Sequence, residues 1–410
     1  MASSALRHLN RLVVAAWLSS CQPATPPASP APVRTDPAVS ASAEPGAPIA
    51  SQRVQPARAR LRVGTSFDYA PFSTRDAQGK VQGFDAEIAG AMARDLGFEL
   101  EWVGFRWPSL QAQLEQAEFD VAMGGVTWQP ARAVVGYMTR AVARGGPCLL
   151  GDANAARVAV NRGGVLEAWS RAHFAHRELV TVEVNQSLPE LLASGSVGAI
   201  VTDSFERHAF ARPGWQVRCE PPLARKVYWL APNHGELAAR IEDWLQAHRE
   251  RIESAQARWF GERQPLDALS HLTDLLARRM AFMPLVAAAK AKQGLPIEDL
   301  PREKVVLAAA AASARQVGLP EAASQAFFAL QIELSKAVQR RSIEPASLDL
   351  AQQIRPALNE LGDRILAAVA EASRAGELSR CALADLEVLT PWLTSGELGQ
   401  LLASLKAFAL

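Results

Sequence analysis

The chain has few cysteines, almost no net charge and no long apolar run, and each shortage excludes a class of protein. Its cysteines are Cys21, Cys148, Cys219 and Cys381, and none has the spacing of metal ligands. The formal net charge of +1 argues against nucleic-acid binding as the main function. No apolar run reaches the roughly 18 residues that a membrane-spanning helix needs. The length of 410 residues predicts at least two domains.

The N-terminal residues 1–21 indicate export. A basic region precedes a short apolar stretch from Leu12 to Leu18, which ends in LSSC at Cys21. This segment resembles a bacterial lipoprotein signal, in which Cys21 becomes the acylated first residue of the mature protein. An ordinary cleaved signal with an incidental cysteine is the alternative. Because both interpretations imply export, we expect a periplasmic protein, tethered to the membrane if Cys21 is acylated.

Residues 22–58 consist almost wholly of Pro, Ala, Ser and small polar residues. Such a segment cannot bury a core, which predicts a flexible tether. The predicted organisation is a signal peptide over 1–21, a linker over 22–58, an α/β domain over 59–263 and an all-α domain over 264–410.

The C-terminal part places charged side chains at helical spacing on an apolar background. Arg279 and Lys290 are separated by about three helical turns, so they share one face, and Pro284 between them is expected to bend the helix. Asp299 followed by a proline predicts a helix start, with Arg302 in its first turn. Buried cations need an anionic partner, and a small dianion would satisfy them.

Two motifs in this part, LPIEDLPRE at 295–303 and FFALQIELSKAVQ at 327–339, are characteristic of a known family. With them, residues 265–410 resemble the all-helical chorismate mutases, and more narrowly the exported class. The resemblance implies that chorismate carboxylates are held by arginines, that the ether oxygen accepts from Lys290 and Gln339, and that the ring hydroxyl is bound by Glu303. The arginines are Arg279, Arg302 and Arg364, and the supporting residues are Asp299 and Ser335, which lies one turn before Gln339.

The rearrangement of chorismate to prephenate is unimolecular, so we expect no cofactor and no metal. Catalysis then consists of holding a compact conformer and placing hydrogen-bond donors where negative charge develops. The amide of Gln339 donates at any ordinary pH, which predicts a mutase rate that is nearly flat around neutrality.

The middle part alternates apolar strand patterns with amphipathic helices, which predicts a largely parallel sheet in an α/β domain. Predicted helices cover 84–96 and 107–116, and predicted strands cover 61–65, 98–103, 119–123, 158–160 and 197–201. The motifs DYAPFS, GFDAEIAGAMARDLG, FDVAMGGVT and VGAIVTDS resemble the periplasmic solute-binding proteins for polar amino acids, which have two lobes that close on a ligand.

Within that superfamily, the motifs RWP at 106–108, VNRGG at 160–164, TDSFE at 202–206 and RKVYWL at 225–230 resemble the cyclohexadienyl dehydratases. This resemblance implies loss of the ring hydroxyl and carbon dioxide from prephenate, with Glu206 as the general acid. Burial of Glu206 would keep its carboxyl group protonated. A substrate carboxylate would be held by Arg132, and Asp203 could bind a ligand amino group. Further contacts are expected from Thr127, Asn161 and Lys226, and ring walls from Trp107 and Phe72.

Both Cys148 and Cys219 fall in the middle part and could form a disulfide in an oxidising periplasm, which would leave Cys381 alone. The fusion favours a bifunctional enzyme, because one domain would make the other domain's substrate. A mutase fused to a non-catalytic binding or sensor domain is the alternative. The partners expected are chorismate and prephenate, with L-arogenate left open, and we expect a homodimer.

Overall fold

The structure, a computed structural model, describes residues 59–163, 165–220, 224–342 and 348–409. The predicted signal peptide, Cys21 and the predicted linker lie outside the described residues, as do Gly164 and the side chain of Pro108. One compact unit spans Arg58–Leu410. The predicted boundary between residues 263 and 264 lies inside this unit and stays a prediction.

The strands and helices follow the predicted order along the chain. The strands are β1 (Arg60–Thr65), β2 (Asp68–Tyr69), β3 (Ser73–Arg75), β4 (Val81–Gln82), β5 (Glu99–Gly104), β6 (Val121–Ala122), β7 (Tyr137–Met138), β8 (Ala143–Gly145), β9 (Pro147–Gly151), β10 (Arg157–Asn161), β11 (Glu178–Val182), β12 (Ala199–Asp203), β13 (Val217–Cys219), β14 (Ala224–Lys226) and β15 (Trp229–Leu230). The helices are α1 (Phe84–Asp95), α2 (Leu110–Glu115), α3 (Pro130–Ala133), α4 (Val165–His173), α5 (Leu188–Ala193), α6 (Arg207–Phe210), α7 (Gly235–Ala247), α8 (Arg249–Phe260), α9 (Ala268–Lys292), α10 (Leu300–Val317), α11 (Glu321–Arg341), α12 (Arg355–Arg374), α13 (Glu377–Arg380) and α14 (Ser395–Lys406).

The described strands form two lobes, each built on a sheet in which five described strands pair. The first lobe has the order β5-β1-β6-β15-β7, and the second has the order β11-β10-β12-β9-β13. In the first lobe β1 pairs in parallel with β5 and β6, whereas β15 runs antiparallel to its neighbours. The second lobe likewise joins parallel strands β10, β11 and β12 to antiparallel β9 and β13. The prediction of a two-lobed α/β fold is therefore confirmed.

A disulfide joins Cys148 to Cys219 within the second lobe. The two residues face each other on antiparallel β9 and β13. Cys381 is buried and free. The pairing of Cys148 with Cys219 therefore agrees with the sequence prediction.

Strands β8 and β14 connect the two lobes and pair with each other as an antiparallel ribbon, which we call the hinge ribbon. The chain passes from β7 in the first lobe through β8 to β9 in the second. It returns from β13 through β14 to β15. Because both crossings run through this ribbon, any change in the angle between the lobes must bend it.

Helices α9 to α14 form the helical region. Asp267 caps α9 by accepting from the backbone N–H of Ser270 at 2.7 Å. Pro284 lies within α9, which still continues as one helix to Lys292. Helices α9, α10, α11 and α12 pack against one another as a bundle. The all-helical second part is thus also confirmed.

The helical region and the first lobe share an apolar core. One cluster of buried side chains contains Phe119 and Trp128 of the lobe together with Phe282, Phe327 and Ile365 of the bundle. Burial of apolar surface is the main source of folding stability, so the two parts stabilise each other. Among the described helices, none is long and apolar enough to cross a membrane.

Candidate active sites

One face of α9 carries Arg279, Met283, Val286 and Lys290 into a cavity of about 280 Å³, which we call the helical cavity. Their spacing of three or four residues keeps these side chains on a single helical face. Of the eight residues predicted for this site, seven line the cavity: Arg279, Lys290, Asp299, Arg302, Glu303, Ser335 and Gln339. Charged or amide side chains not predicted to line it are Lys336, Arg355, Asn359 and Asp363.

The cavity has more positive than negative side chains. Among the described residues, five cationic ones line it, Arg279, Lys290, Arg302, Lys336 and Arg355, against the three carboxylates Asp299, Glu303 and Asp363. The lining therefore has a formal excess of two positive charges. Charge that is withdrawn from water needs compensation, so the site favours an anion with two negative charges.

Asp299 positions two of the arginines. As the N-cap of α10 its Oδ1 accepts from the backbone N–H of Arg302 at 3.1 Å, which confirms the predicted helix start. Its Oδ2 lies 3.1 Å from Nη2 of Arg355. The guanidinium of Arg302 in turn donates to Oδ1 of Asn359 at 2.6 Å. These contacts fix Arg302 and Arg355 at one end of the cavity.

Arg279 is 7% exposed. Burial, aided by the positive charge of Arg302, lowers the pKa of Arg279 to about 10, so the guanidinium stays charged near neutrality. Its guanidinium carbon lies over the ring of Phe328, 5.8 Å from the centroid. Within the described part of the chain, Nε of Arg279 is buried without a hydrogen-bond partner. This donor is available to a bound anion.

Lys290 and Gln339 are the two predicted donors to a reacting oxygen, and both are buried. The ammonium of Lys290 donates to the carbonyl of Ile297 at 2.5 Å, and burial lowers its pKa. The amide of Gln339 donates to the carbonyl of Ser335 at 3.2 Å. Both side chains are thereby held at the cavity wall.

Glu303 is paired with Lys336, which the sequence reasoning did not select. The Lys336 Nζ lies 3.3 Å from Oε1 of Glu303 and 2.7 Å from Oε1 of Glu333. Lys336 follows Ser335 directly in the second motif, which is the signal that could have identified it.

The structure does not bring Arg364 to the helical cavity. Its Nη1 donates to the carbonyl of Met138 at 3.0 Å, and its guanidinium lies 4.9 Å from the ring centroid of Tyr137. Arg355, nine residues earlier on α12, occupies the cavity instead. At about 100° per residue, nine residues place the two side chains on opposite faces of the helix.

The second site is the cleft between the lobes, where Lys226 of the hinge ribbon is the central cation. Its Nζ lies 2.7 Å from Oδ2 of Asp203 in the second lobe. It also lies 3.0 Å from the hydroxyl of Tyr69 and 3.2 Å from that of Thr127 in the first lobe. Lys226 is only 3% exposed, so the lobes are closed around it.

Aromatic rings wall the cleft from both sides. Phe72 of the first lobe meets Phe205 of the second with ring centroids 4.9 Å apart. The Lys226 ammonium lies over Phe72 at 5.5 Å. Trp107 packs edge-on against Tyr69 at 6.0 Å. Both Phe72 and Trp107 were predicted, whereas Tyr69 was missed although it belongs to the DYAPFS motif.

Gly145 allows the hinge ribbon to approach the second lobe. A Cβ placed there would lie 2.5 Å from the Phe205 ring and 2.8 Å from a carboxylate oxygen of Asp203. Side-chain atoms do not approach so closely, so any larger residue at 145 would push these walls apart.

Glu206 is buried, with 2% exposure, and its backbone N–H donates to the carbonyl of Asp203 at 2.9 Å. Its carboxyl group contacts the hydroxyl of Thr202 at 2.6 Å and the side-chain amide of Asn185 at 2.5 Å. Burial raises the pKa of Glu206 to about 8, with a contribution from Asp203. The acid therefore retains its proton at neutral pH. Thr202 and Asn185 were not predicted, and Asn185 lies 21 residues away in sequence.

The remaining predicted cleft residues are Arg132 and Asn161. Arg132 donates to the carbonyl of Thr127 at 2.9 Å and is half-buried. Burial lowers its pKa to about 10. Asn161 ends β10, and its neighbour Val160 faces Val201 of the strand that leads to Asp203. Asn161 therefore belongs to the same edge of the second-lobe sheet as Asp203.

Asp85 supports the turn that carries Thr127. Its Oδ2 accepts from the backbone N–H groups of Gly124 and Gly125 at 2.7 and 2.8 Å, and its Oδ1 accepts from the hydroxyl of Tyr228. Burial raises the pKa of Asp85 to about 6 against these hydrogen bonds. Both glycines have positive φ, which side chains disfavour. The sequence reasoning did not select Asp85.

Comparison with known families agrees with this two-part architecture. Residues 61–262 match the family model of bacterial extracellular solute-binding proteins, family 3. Residues 266–340 match the model of chorismate mutase type II.

Two relatives divide in the same way, each matching one of the two parts. Cyclohexadienyl dehydratase of Pseudomonas aeruginosa is 28% identical over 221 residues, which cover 45% of this chain and 82% of that protein. Monofunctional chorismate mutase of Enterobacter agglomerans is 33% identical over 141 residues, which cover 32% of this chain and 76% of that protein. A crystal structure of an ancestral amino acid-binding protein, described as a precursor of cyclohexadienyl dehydratase, has a TM-score of 0.46 and 26% identity, and covers 49% of this chain and 95% of that one.

The fold and sites thus define a two-lobed solute-binding module joined to an all-helical bundle with a cation-rich cavity. The chain belongs to the chorismate mutase family through its helical region, and its lobes form a domain of the extracellular solute-binding family 3.

Proposed function

We propose that the protein is a bifunctional exported enzyme that converts chorismate to prephenate in the helical cavity and prephenate to phenylpyruvate in the cleft. The observation that carries the first activity is the formal excess of two positive charges among the described residues around a cavity of about 280 Å³. Chorismate is a compact dianion, so its two carboxylates match this excess.

In the mutase reaction the ether C–O bond breaks while a C–C bond forms, and negative charge develops on the ether oxygen. Lys290 and Gln339 donate to that oxygen, which lowers the barrier by fixed electrostatic stabilisation. Arg279, Arg302 and Arg355 hold the carboxylates, since a guanidinium binds a carboxylate through two parallel hydrogen bonds. In this assignment Arg355 takes the role that the sequence suggested for Arg364.

Glu303 accepts a hydrogen bond from the ring hydroxyl of chorismate, and Lys336 keeps the Glu303 carboxylate oriented. Asp299 and Ser335 support the arrangement from the start of α10 and from α11.

The observation that carries the second activity is the buried carboxyl group of Glu206, held by Thr202 and Asn185, whose pKa burial raises to about 8. Prephenate aromatises when its ring carboxylate leaves as carbon dioxide and its ring hydroxyl leaves as water. The electron pair of the breaking C–C bond enters the ring and expels the hydroxyl, which takes the proton of Glu206. Solvent then returns a proton to Glu206.

The cleft favours prephenate over L-arogenate. Asp203 is the carboxylate available for a substrate ammonium, but it is paired with Lys226 at 2.7 Å, and the two cations Lys226 and Arg132 outnumber it. Arg132 and Lys226 are cations suited to the pyruvyl and ring carboxylates of prephenate, and Thr127 adds a hydroxyl between them. Phe72 and Trp107 enclose the ring, and Asn161 borders the site from the second lobe. Comparing kcat/KM for the two substrates tests this preference.

Incubation of the purified protein with chorismate tests both activities at once. Phenylpyruvate formed at neutral pH without added acid supports the bifunctional enzyme, and a lag reports free prephenate between the two steps. Prephenate that accumulates without further conversion would leave a mutase fused to a non-catalytic binding domain. Joining the two sites in one chain raises the local concentration of prephenate at the cleft, because prephenate is released by the same molecule that binds it next.

The proposal includes export, which the extracellular solute-binding family supports. Anchoring through an acylated Cys21 and assembly into a homodimer are further parts of it. Metabolic labelling with a radioactive fatty acid, with Cys21→Ser as control, tests the anchor. Sedimentation tests the dimer.

A further inference from the structure

Helix α9 uses two adjacent faces for two different purposes. Arg279 and Met283 point into the helical cavity. One residue earlier in each case, Arg278 and Phe282 contact the first lobe. The Arg278 guanidinium donates to the carbonyl of Thr139 at 3.0 Å, and the Phe282 ring packs edge-on against Trp128 with centroids 6.0 Å apart.

Asp274, one turn before Arg278, contacts both strands of the hinge ribbon. Its Oδ1 lies 3.2 Å from Nε of Arg144 on β8 and 3.0 Å from Nε of Arg225 on β14. Arg144 and Arg225 face each other in the ribbon. Arg144 also donates to the carbonyl of Ser270 at 3.0 Å. A single carboxylate of the helical region therefore holds both connections between the lobes.

The same ribbon faces the cleft on its other side. Successive residues of a strand point to opposite faces, so Lys226 faces the cleft while Arg225 faces α9. The bridge partner of Lys226 shows the same alternation, since Thr127 contacts Lys226 and Trp128 contacts α9. The contacts in the cleft and the contacts to α9 are therefore made by adjacent residues of the same two segments.

We propose that Asp274 is a positioning residue for both sites: it clamps the hinge ribbon to α9, so that closure of the lobes on a ligand favours the α9 position that assembles the helical cavity. This inference rests on the proposed function for its choice of ligand. In the closed form described above, Lys226 is seated in the cleft and Arg279 and Lys290 converge in the cavity. A ligand that stabilises closure therefore tightens chorismate binding.

The electrostatics favour a firm clamp. Asp274 is 1% exposed, and burial alone would raise the pKa of its carboxyl group. The positive charges of Arg144, Arg225 and Arg278 outweigh burial and lower that pKa. The group is thus a carboxylate at neutral pH, and removing its charge would take one counter-charge away from the buried guanidinium groups.

The test measures the mutase KM for chorismate with and without saturating phenylpyruvate. In the unmodified protein we expect phenylpyruvate to lower the KM roughly fivefold or more, as coupled sites typically do. Asp274→Asn keeps the shape of the side chain and removes its charge, and it should bring the ratio of the two KM values to within about twofold of one. Asp95→Asn is the matched control, because it breaks a 2.9 Å pair with Arg251 in the first lobe and should keep the original ratio.

Hydrogen exchange of the hinge ribbon gives a second readout that needs no ligand. Amides of 143–145 and 224–226 should exchange roughly tenfold faster in Asp274→Asn and at the original rate in Asp95→Asn. If Asp274→Asn does not fold, Arg144→Gln removes one of the two contacts and should give a smaller change of the same sign.

The clamp is overturned if the hinge-ribbon amides exchange at the same rate in Asp274→Asn as in the unmodified protein. It is also overturned if Asp274→Asn keeps the original ratio of the two KM values. A KM that phenylpyruvate raises equally in both proteins indicates competition in the helical cavity and also overturns it. Conversion of prephenate is followed in the same preparations. Absence of turnover defeats the dehydratase proposal alone, since the exchange measurement still decides the clamp.

Discussion

Lys226 and Asp203 form an ion pair across the cleft, with Nζ and Oδ2 2.7 Å apart. The lysine belongs to the hinge ribbon and the aspartate ends a strand of the second lobe. Both are almost fully buried, so the pair joins the lobes in a region that excludes water. Its cation is also the group best placed to meet a substrate carboxylate.

Replacing this cation should weaken prephenate binding. For Lys226→Gln we expect a rise in the prephenate KM of roughly 10-fold to 100-fold, because hydrogen bonds to charged groups contribute about 1.5–3 kcal/mol. Steady-state formation of phenylpyruvate measures it. Lys80→Gln, at an exposed turn of the first lobe, is the control and should leave the KM unchanged. An unchanged KM in Lys226→Gln would exclude a role in substrate binding.

Glu206→Gln separates catalysis from binding. The amide fills the same space but is not an acid, so kcat for prephenate should fall roughly 10²–10⁴-fold. The dissociation constant of phenylpyruvate, measured by calorimetry, should change little. Retention of turnover would show that another group supplies the proton. Absence of turnover already in the unmodified protein would identify a binding domain.

The pH dependence of the two activities should differ. Burial raises the pKa of Glu206 to about 8, so its carboxyl group is protonated below that pH and loses the proton as the pH rises through it. The dehydratase kcat/KM should therefore be level between pH 6 and 7 and fall about tenfold per unit well above 8. Mutase activity in the same samples should stay nearly flat over this range. A dehydratase rate that increases from pH 7 to 9 would argue against Glu206 as the acid.

The spacing of residues along each helix predicted most of the side chains that line the helical cavity, but it did not predict Arg355. Arg279 and Lys290 share a face because a helix repeats every 3.6 residues, and Asp299 caps a helix because its side chain reaches the backbone N–H three residues on. The choice between Arg355 and Arg364 could not be made in this way. Both lie on α12, and the face that meets the cavity is set by packing against other helices.

Contacts between distant segments were likewise beyond reach of the sequence pattern. Asp274 meets Arg144 and Arg225 across 130 and 49 residues of chain. Asn185 meets Glu206 only because neighbouring strands β10, β11 and β12 bring their carboxyl ends together. Such pairs depend on topology, which spacing along one segment does not encode.

A pair of substitutions tests the assignment of the third arginine. Arg355→Gln should raise the chorismate KM roughly 10-fold to 100-fold, through loss of a charge-assisted contact to a carboxylate. Arg364→Gln removes a similar charge from the same helix but outside the cavity, so its effect on the chorismate KM should be much smaller. Loss of chorismate absorbance follows both reactions. A larger effect at Arg364 would reverse the assignment.

Gln339→Glu should convert a pH-independent mutase into an acid-dependent one. A carboxylate at this position cannot donate to the ether oxygen and repels its developing charge, so kcat at pH 7.5 should fall by about 10²-fold or more. Protonation restores a donor, and part of the rate should return as the pH approaches 5. The pH profile of chorismate loss provides the measurement. A variant with a flat profile would exclude Gln339 as a donor.

The apolar core shared by the first lobe and the helical bundle has a consequence for protein engineering and for the history of the gene. A cut at the predicted boundary would expose Phe282 and Trp128 to water and would separate Asp274 from Arg225. Neither fragment could then be exchanged for a free-standing homologue unless the facing surface were rebuilt. Once such a contact has formed, later substitutions on each surface are retained only if they fit the facing surface. The fusion therefore becomes difficult to reverse.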